Sequence, residues 1–223
     1  MTSEITLFVN PTAGRGRGAH AAQPAASALR DAGFSVRTVL GEDAGDALRR
    51  AREAVAAGTG ALIAVGGDGL ASLALQAVAG TGTPLGVVAV GTGNDFARAL
   101  GLPIRDPAAA GALAARALKE GGHRDIDLGR AGERWFGSVL ASGFDSRVND
   151  RGNRMRWIGG RFKYDLAVLA ELAAFAPIPY RIRLDGGEVR EIEATLIAVG
   201  NGTTYGGACA SAPGPRWTTA SST

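Results

Sequence analysis

Three glycine-rich segments constrain this chain more than any other feature, because each directly follows a short apolar run and precedes a helical pattern. They are Asn10-Pro11-Thr12-Ala13-Gly14-Arg15-Gly16-Arg17-Gly18, Gly66-Gly67-Asp68-Gly69, and Gly91-Thr92-Gly93-Asn94-Asp95-Phe96-Ala97. The apolar runs ahead of them, residues 5–9, 61–65 and 84–90, read as strands, as does 34–40. Residues 18–32, 44–57, 70–79 and 108–120 read as helices, with a short one at 95–100 that ends near Gly101 and Pro103. Strand–helix alternation with continuously apolar strands specifies a parallel sheet covered on both faces. The 34 glycines among 223 residues follow no Gly-X-Y period, so they fit tight loops around such a sheet and not a collagen helix.

From about Gly122 the pattern changes. Residues 124–128, 135–141, 180–184 and 191–199 read as strands, with Asp185-Gly186-Gly187 turning between the last two and one helix at about 162–175. The expected organisation is α/β: a parallel-sheet nucleotide-binding domain over residues 1–122, then an incomplete β-rich, sandwich-like domain over 123–214. Residues 215–223 follow as an aberrant tail without strand or helix pattern. Cys209 is a single cysteine, so no internal disulfide forms and a reducing cytosol is expected. No apolar run approaches the roughly 20 residues of a membrane span, and Met1 is not followed by a basic leader. The expectation is a cytoplasmic chain, at most peripheral on the inner face of the plasma membrane. A net charge of +3 suits anionic ligands and leaflets but falls short of a nucleic-acid footprint, so no nucleic-acid partner is expected.

The chemistry of the three loops points to phosphate. Glycines let backbone N–H groups approach an anion, and a following helix adds its positive end. Arg15 and Arg17 are placed for charge-assisted bonds to phosphate oxygens, or are solvated residues of an ordinary turn. Neither a Walker lysine nor a Rossmann acid stands at its expected spacing, which disfavours both classes. Asp68 falls at the carboxyl end of an apolar strand, where open α/β sheets bind ligands, either as a hold on a phosphate-borne metal or as an Asp-Gly turn. Thr92 is placed to donate to phosphate. Asp95 either joins Asp68 around a metal or, like Asn94, caps the next helix. Asp127, in Ile126-Asp127-Leu128-Gly129, is a weaker candidate of the same kind.

Taken in order and spacing, Asn10-Pro-x-Ala-Gly, Gly66-Gly-Asp-Gly and Gly91-Thr-Gly-Asn-Asp-Phe-Ala-Arg resemble the diacylglycerol kinase catalytic domain, a lipid kinase superfamily shared with sphingosine kinases and, more distantly, NAD kinases. The likeness extends through Ser142-Gly143-Phe144-Asp145 and Val199-Gly200-Asn201-Gly202, with Tyr205-Gly206-Gly207, and so covers about residues 5–214. It implies a two-domain enzyme that transfers the ATP γ-phosphate to a lipid hydroxyl with Mg²⁺ bridging phosphates. Diacylglycerol, giving phosphatidic acid, is the expected acceptor. By motif, Asn10, Pro11, Thr12, Ala13, Gly14, Gly66, Gly67, Asp68, Gly69, Leu70, Gly91, Thr92, Gly93 and Asn94 are implied to contact nucleotide. Asp68, Asp95 and Asp127 are implied as the catalytic, water-linked acidic network around the metal. Leu70 and Leu73 replace the family's threonine and glutamate, and Ala89-Val90 stands where it has a proline; the two leucines at helical spacing also fit a core.

The family continues with Pro-x-Ala-x-x-Asp-Asp-Gly-Leu-Leu-Asp, further strands and an Asp-Gly-Glu acid that looks like the general base. This chain instead ends Pro215-Arg216-Trp217-Thr218-Thr219-Ala220-Ser221-Ser222-Thr223. Read one base back, the codons of Trp217 and Thr218 give GAC, and suitable wobble bases extend this to Asp-Asp-Gly-Leu-Leu-Asp. A frame slip after Gly214 is therefore expected, with a naturally divergent terminus as the alternative. The polypeptide as written is then expected to be inactive and marginally stable. Two alternatives to a lipid kinase stay open: a nucleotide-binding fragment or pseudoenzyme without turnover, and an NAD kinase-like enzyme. A homodimer is left open as well.

A lipid acceptor requires peripheral contact with a bilayer. Arg151, Arg154, Arg156, Arg161 and Lys163, interleaved with Met155 and Trp157, form a basic segment suited to an anionic leaflet, or else a solvated loop. Charge reversal at the five basic positions is expected to weaken co-sedimentation with anionic vesicles; unchanged binding would reject the membrane role.

Overall fold

A computed structural model of the chain describes residues 4–11, 13–143, 177–201, 204–205 and 209–210. The first half alternates as its pattern requires: β1 (Glu4–Val9), α1 (Ala13–Asp31), β2 (Ser35–Leu40), α2 (Ala44–Ala56), β3 (Leu62–Gly66), α3 (Asp68–Val78), β4 (Leu85–Ala89), α4 (Asp95–Ala99) and α5 (Pro107–Glu120). The four strands form one parallel sheet in the order β2-β1-β3-β4.

Alternate residues of the central strands fill two separate cores. Ile5, Leu7 and Val9 of β1, with Ile63 and Val65 of β3, pack against α1 and α5 on one face. Phe8, Leu62 and Ala64 pack against α2 and α3 on the other. A third, smaller cluster at the β4 side joins Ala71, Leu75, Val87, Ala89, Phe96 and Ala97, with Ile126, Leu128 and Trp135 packed against it. Strands covered on both faces have no solvated side, and β3 is buried at every position.

The glycine-rich first segment is shorter as a loop than expected. Helix α1 begins at Ala13, so residues 14–18 lie in its opening turns. A Cβ at Gly18 would collide with the Asn10 carbonyl oxygen, so a side chain there is incompatible with a helix that starts this close to β1.

The second half holds short antiparallel hairpins. β5 (Gly129–Ala131) pairs with β6 (Arg134–Phe136), and β8 (Ile178–Arg183) with β9 (Val189–Ala194). β7 (Val139–Gly143) pairs with β10 (Leu196–Gly200), and β11 (Thr204–Tyr205) with β12 (Cys209–Ala210). Two compact units result: residues 1–138 with 200–223, and residues 139–199.

Three expected strands change form. Residues 124–128 join no sheet. Their alternation is met by Ile126 and Leu128 packing on the third cluster, while the Asn201 amide bonds the Asp127 carbonyl. Residues 135–141 split into β6 and β7 around Gly137, where a Cβ would meet Phe96 Cε2 at 2.5 Å. Residues 191–199 split into β9 and β10, which belong to different sheets. The expected helix at 162–175, the basic segment 151–163 and the tail 215–223 lie outside the described residues, as do Thr12, Phe144 and Asp145. Among the described residues no helix is long and apolar enough to cross a membrane.

Helices α1 and α5 meet at a glycine. A Cβ on Gly111 would stand 2.8 Å from the Ala25 carbonyl oxygen and 2.9 Å from its Cα. Gly111→Val is expected to lower unfolding free energy by about 1–3 kcal/mol in urea titration, because the two backbones must part. Unchanged stability would show that the helices do not touch there.

Candidate active site

The sheet order itself locates a crevice. From β1 the chain crosses to β2 on one side, and from β3 to β4 on the other, so the connections diverge between β1 and β3. Open α/β sheets bind ligands outside the carboxyl ends of their strands at such a switch point. The first glycine segment follows β1 and the second follows β3, so both border it. The Asn10 N–H donates to the Val65 carbonyl at 3.2 Å, which ties the two strand ends together.

The third loop, after β4, lies directly against the second. A Cβ added to Gly91 would stand 2.6 Å from Gly67 Cα, and one added to Gly67 would stand 3.2 Å from Gly91 Cα. Only two glycines permit that approach. The contact places the Asp68 carboxylate under the third loop, where Oδ2 accepts the Asn94 N–H at 2.7 Å and Oδ1 accepts the Phe96 N–H at 3.2 Å. Asp68 thus caps α4 from outside that helix.

Asn94 has the left-handed backbone that Asn tolerates better than most residues, with φ 59°, and is 1% exposed. Its Nδ2 donates to the Gly91 carbonyl at 3.0 Å, while Oδ1 is buried without a hydrogen-bond partner. The Arg98 Nε donates to the Gly93 carbonyl at 3.0 Å. Side chains of Asp68, Asn94 and Arg98 thus all bond the backbone of the third loop.

Helix caps set the site apart from the rest of the sheet. Asp43 caps α2 by accepting the Asp46 N–H, and Asp106 caps α5 by accepting the Ala109 N–H. Helix α3 begins at Gly67 with no side-chain cap. A helix start without a side-chain cap, directly after a strand that borders the crevice, is a position where an anion can be held.

The remaining implied site residues divide by burial. Gly66 is buried in β3, Gly67 and Asp68 are half-buried, and Gly69 is exposed. Leu70 is 6% exposed and lies in the core with Phe8, Leu62 and Ala64, with Leu73 packed beside it. Thr92 is exposed at the loop tip, Gly93 and Asp95 are half-buried, and Asn10 and Asp127 are half-buried in their own segments. Pro11 is exposed and Ala13 half-buried at the start of α1. Among the described residues, no three His, Cys, Asp or Glu side chains group closely enough to hold a metal ion directly. Asp68 keeps lone pairs beyond its two N–H bonds, so the donor set fits an ion carried by phosphates and shelled by water, not a protein cage.

Sequence reasoning did not single out Arg98 or Asn201 as anchors. Asn201 bonds a carbonyl 74 residues away, which no local pattern announces, and Arg98 bonds the Gly93 carbonyl five residues back without any motif that requires it.

Comparison with known proteins adds an independent line. A model of the diacylglycerol kinase catalytic domain matches residues 4–131. A model of the YegS C-terminal NAD kinase beta sandwich-like domain matches residues 138–218. A protein of Mycobacterium tuberculosis named diacylglycerol kinase is 46% identical over 209 residues, covering 92% of this chain and 66% of that protein. A Bacillus subtilis protein of the same name is 30% identical over 197 residues, covering 85% of this chain and 64% of its own length. A crystal structure of a diacylglycerol kinase from Bacillus anthracis superposes with a TM-score of 0.69 at 28% identity, over 92% of this chain and 66% of that one. The chain spans about two thirds of the length of the curated relatives it matches.

The Asp68 geometry has a direct test. Asp68→Asn keeps the shape but sets an NH₂ group against one of the two N–H donors. A stability loss of about 1–3 kcal/mol is expected, with faster hydrogen exchange at the Asn94 and Phe96 amides and no change at the Ala109 amide. Unchanged exchange at Asn94 and Phe96 would show that Asp68 does not anchor the third loop.

Proposed function

The chain belongs to the diacylglycerol kinase catalytic-domain family, and on that premise we propose that it binds ATP on its three glycine segments and directs the γ-phosphate to a lipid hydroxyl, with diacylglycerol as acceptor. The observation that carries the reading is the uncapped start of α3 beside the Gly67–Gly91 contact, at the switch point of the sheet. An anion there meets helix amides and closely approaching backbone. Thr92, exposed at the tip of the third loop, adds a hydroxyl donor.

Phosphoryl transfer needs little covalent chemistry from the protein. The acceptor oxygen bonds to the γ-phosphorus, the bond to the bridging oxygen of ADP breaks, and the hydroxyl proton is released. What the protein contributes is position, and fixed donors aimed at the charge that develops. Asp68, Asn94 and Arg98 contribute by holding the third loop rigid before substrate arrives. Magnesium, when bound, neutralises phosphate charge; Asp68, Asp95 and Asp127 would hold it through its water shell. The lipid is met at a membrane surface, from the cytoplasmic side.

One assay tests the reading: transfer of labelled γ-phosphate from ATP to diacylglycerol, sphingosine and NAD, offered separately to one preparation. Labelled phosphatidic acid is the product that supports the lipid kinase reading. Transfer to NAD alone would replace the lipid kinase with an NAD kinase-like enzyme. ATP binding without transfer to any acceptor would make the chain a nucleotide-binding protein without turnover.

A further inference from the structure

Asn201 follows β10 and belongs to the same compact unit as the phosphate loops. Its side-chain Nδ2 donates to the Asp127 carbonyl oxygen at 2.8 Å and, more weakly, to the Gly137 carbonyl at 3.5 Å. Its backbone N–H donates to the Ser138 carbonyl at 2.6 Å. One residue therefore pins segments 127 and 137–138, which lie ten positions apart in the chain and far from residue 201.

The segment it holds lies against the site. Residues 124–128 pair with no strand. Ile126 and Leu128, on either side of Asp127, pack on the cluster of Ala71 and Leu75 from α3 and Phe96 and Ala97 from α4. Those are the helices that begin at the second and third glycine loops. Gly137, the other carbonyl Asn201 touches, is pressed on the same surface: a Cβ there would meet Phe96 Cε2 at 2.5 Å and Leu75 Cδ1 at 2.9 Å.

We infer that Asn201 is a positioning residue: its amide holds the Asp127 carbonyl and fixes that backbone against the helices of the phosphate loops. Its effect on ligand binding rests on the proposed use of Asp127 near phosphate-borne magnesium. An amide suits the task because both acceptors are carbonyls. Asn201→Asp keeps the size, has no N–H to donate and sets a negative charge against two carbonyl oxygens. Asn201→Ala removes the bond without that repulsion.

The test is calorimetric titration of the full 223-residue chain with ATP, once with Mg²⁺ and once with a chelator, for the parent, Asp127→Asn, Asn201→Ala and Asn201→Asp. The parent is expected to bind more tightly with Mg²⁺, and Asp127→Asn to lose that enhancement. Asn201→Ala and Asn201→Asp are expected to lose about 10–100-fold of it, the range for residues that orient a metal site from outside, with metal-free affinity unchanged. Full enhancement in Asn201→Ala alongside its loss in Asp127→Asn would overturn the role of Asn201 alone. Enhancement surviving in Asp127→Asn would overturn the use of Asp127, and the inference with it. Loss of metal-free binding in Asn201→Ala would make Asn201 a general folding residue and would also overturn it.

Discussion

The Asp68 carboxylate, bonded to two backbone amides of the neighbouring loop, is the interaction on which the site's geometry depends. An aspartate side chain is short. For it to reach Asn94 and Phe96, the backbones of the second and third loops must come within van der Waals contact, and Gly67 and Gly91 allow that. The glycines and the acid are therefore one device. A side chain at either glycine would push the third loop out of reach, and without the acid the close-packed loops would lose their polar link. Gly93 belongs to the same device, since a Cβ there would stand 3.0 Å from Asp68 Oδ2.

This arrangement explains how the helix starts are treated. Helices α2 and α5 carry their own aspartate caps, each accepting one opening N–H, from Asp46 and Ala109 respectively. Helix α4 borrows its cap from Asp68. Helix α3, whose first residue supplies that cap, starts at a glycine with no side-chain cap of its own. The aspartate that would ordinarily serve a helix start has been turned toward the next loop. The start of α3 thus lacks the side-chain cap that α2 and α5 carry.

The sheet was legible in the sequence because β1, β3 and β4 are largely apolar and their loops are marked by glycine, both local signals. All four parallel strands lie where those signals place them, within a residue or so. The start of α1 was less legible, since glycines that usually mark a loop also fit a helix wedged against the Asn10 carbonyl. Residues 124–128 carry true alternation, yet it reflects packing of Ile126 and Leu128 and not strand pairing. Asp68 was legible as an acid at the carboxyl end of β3. Its bonds to Asn94 and Phe96 were not, because they span 26 and 28 residues and no periodicity encodes them. Leu70 and Leu73 show the reverse: their spacing suits a core, and the core is where they lie.

Asn94 shows why so many anchors converge on one short loop. Its left-handed backbone costs about 1–2 kcal/mol, and its buried Oδ1 without a partner about 1–3 kcal/mol more. Against this stand two hydrogen bonds to a carboxylate, each contributing about 1.5–3 kcal/mol. The two sides are of the same size, so the loop keeps its form because Asp68 holds it and not because its own backbone prefers it. Strained residues persist where the surroundings over-determine them. Here the surroundings are a carboxylate on one side, the Arg98 guanidinium on the other, and Phe96 buried in the third cluster beneath. That cluster also carries Ile126 and Leu128, so the packing that stabilises the edge of the sheet is the packing that shapes the third glycine loop. A cavity opened there would loosen the third loop, because Phe96 of that loop lies in the same cluster.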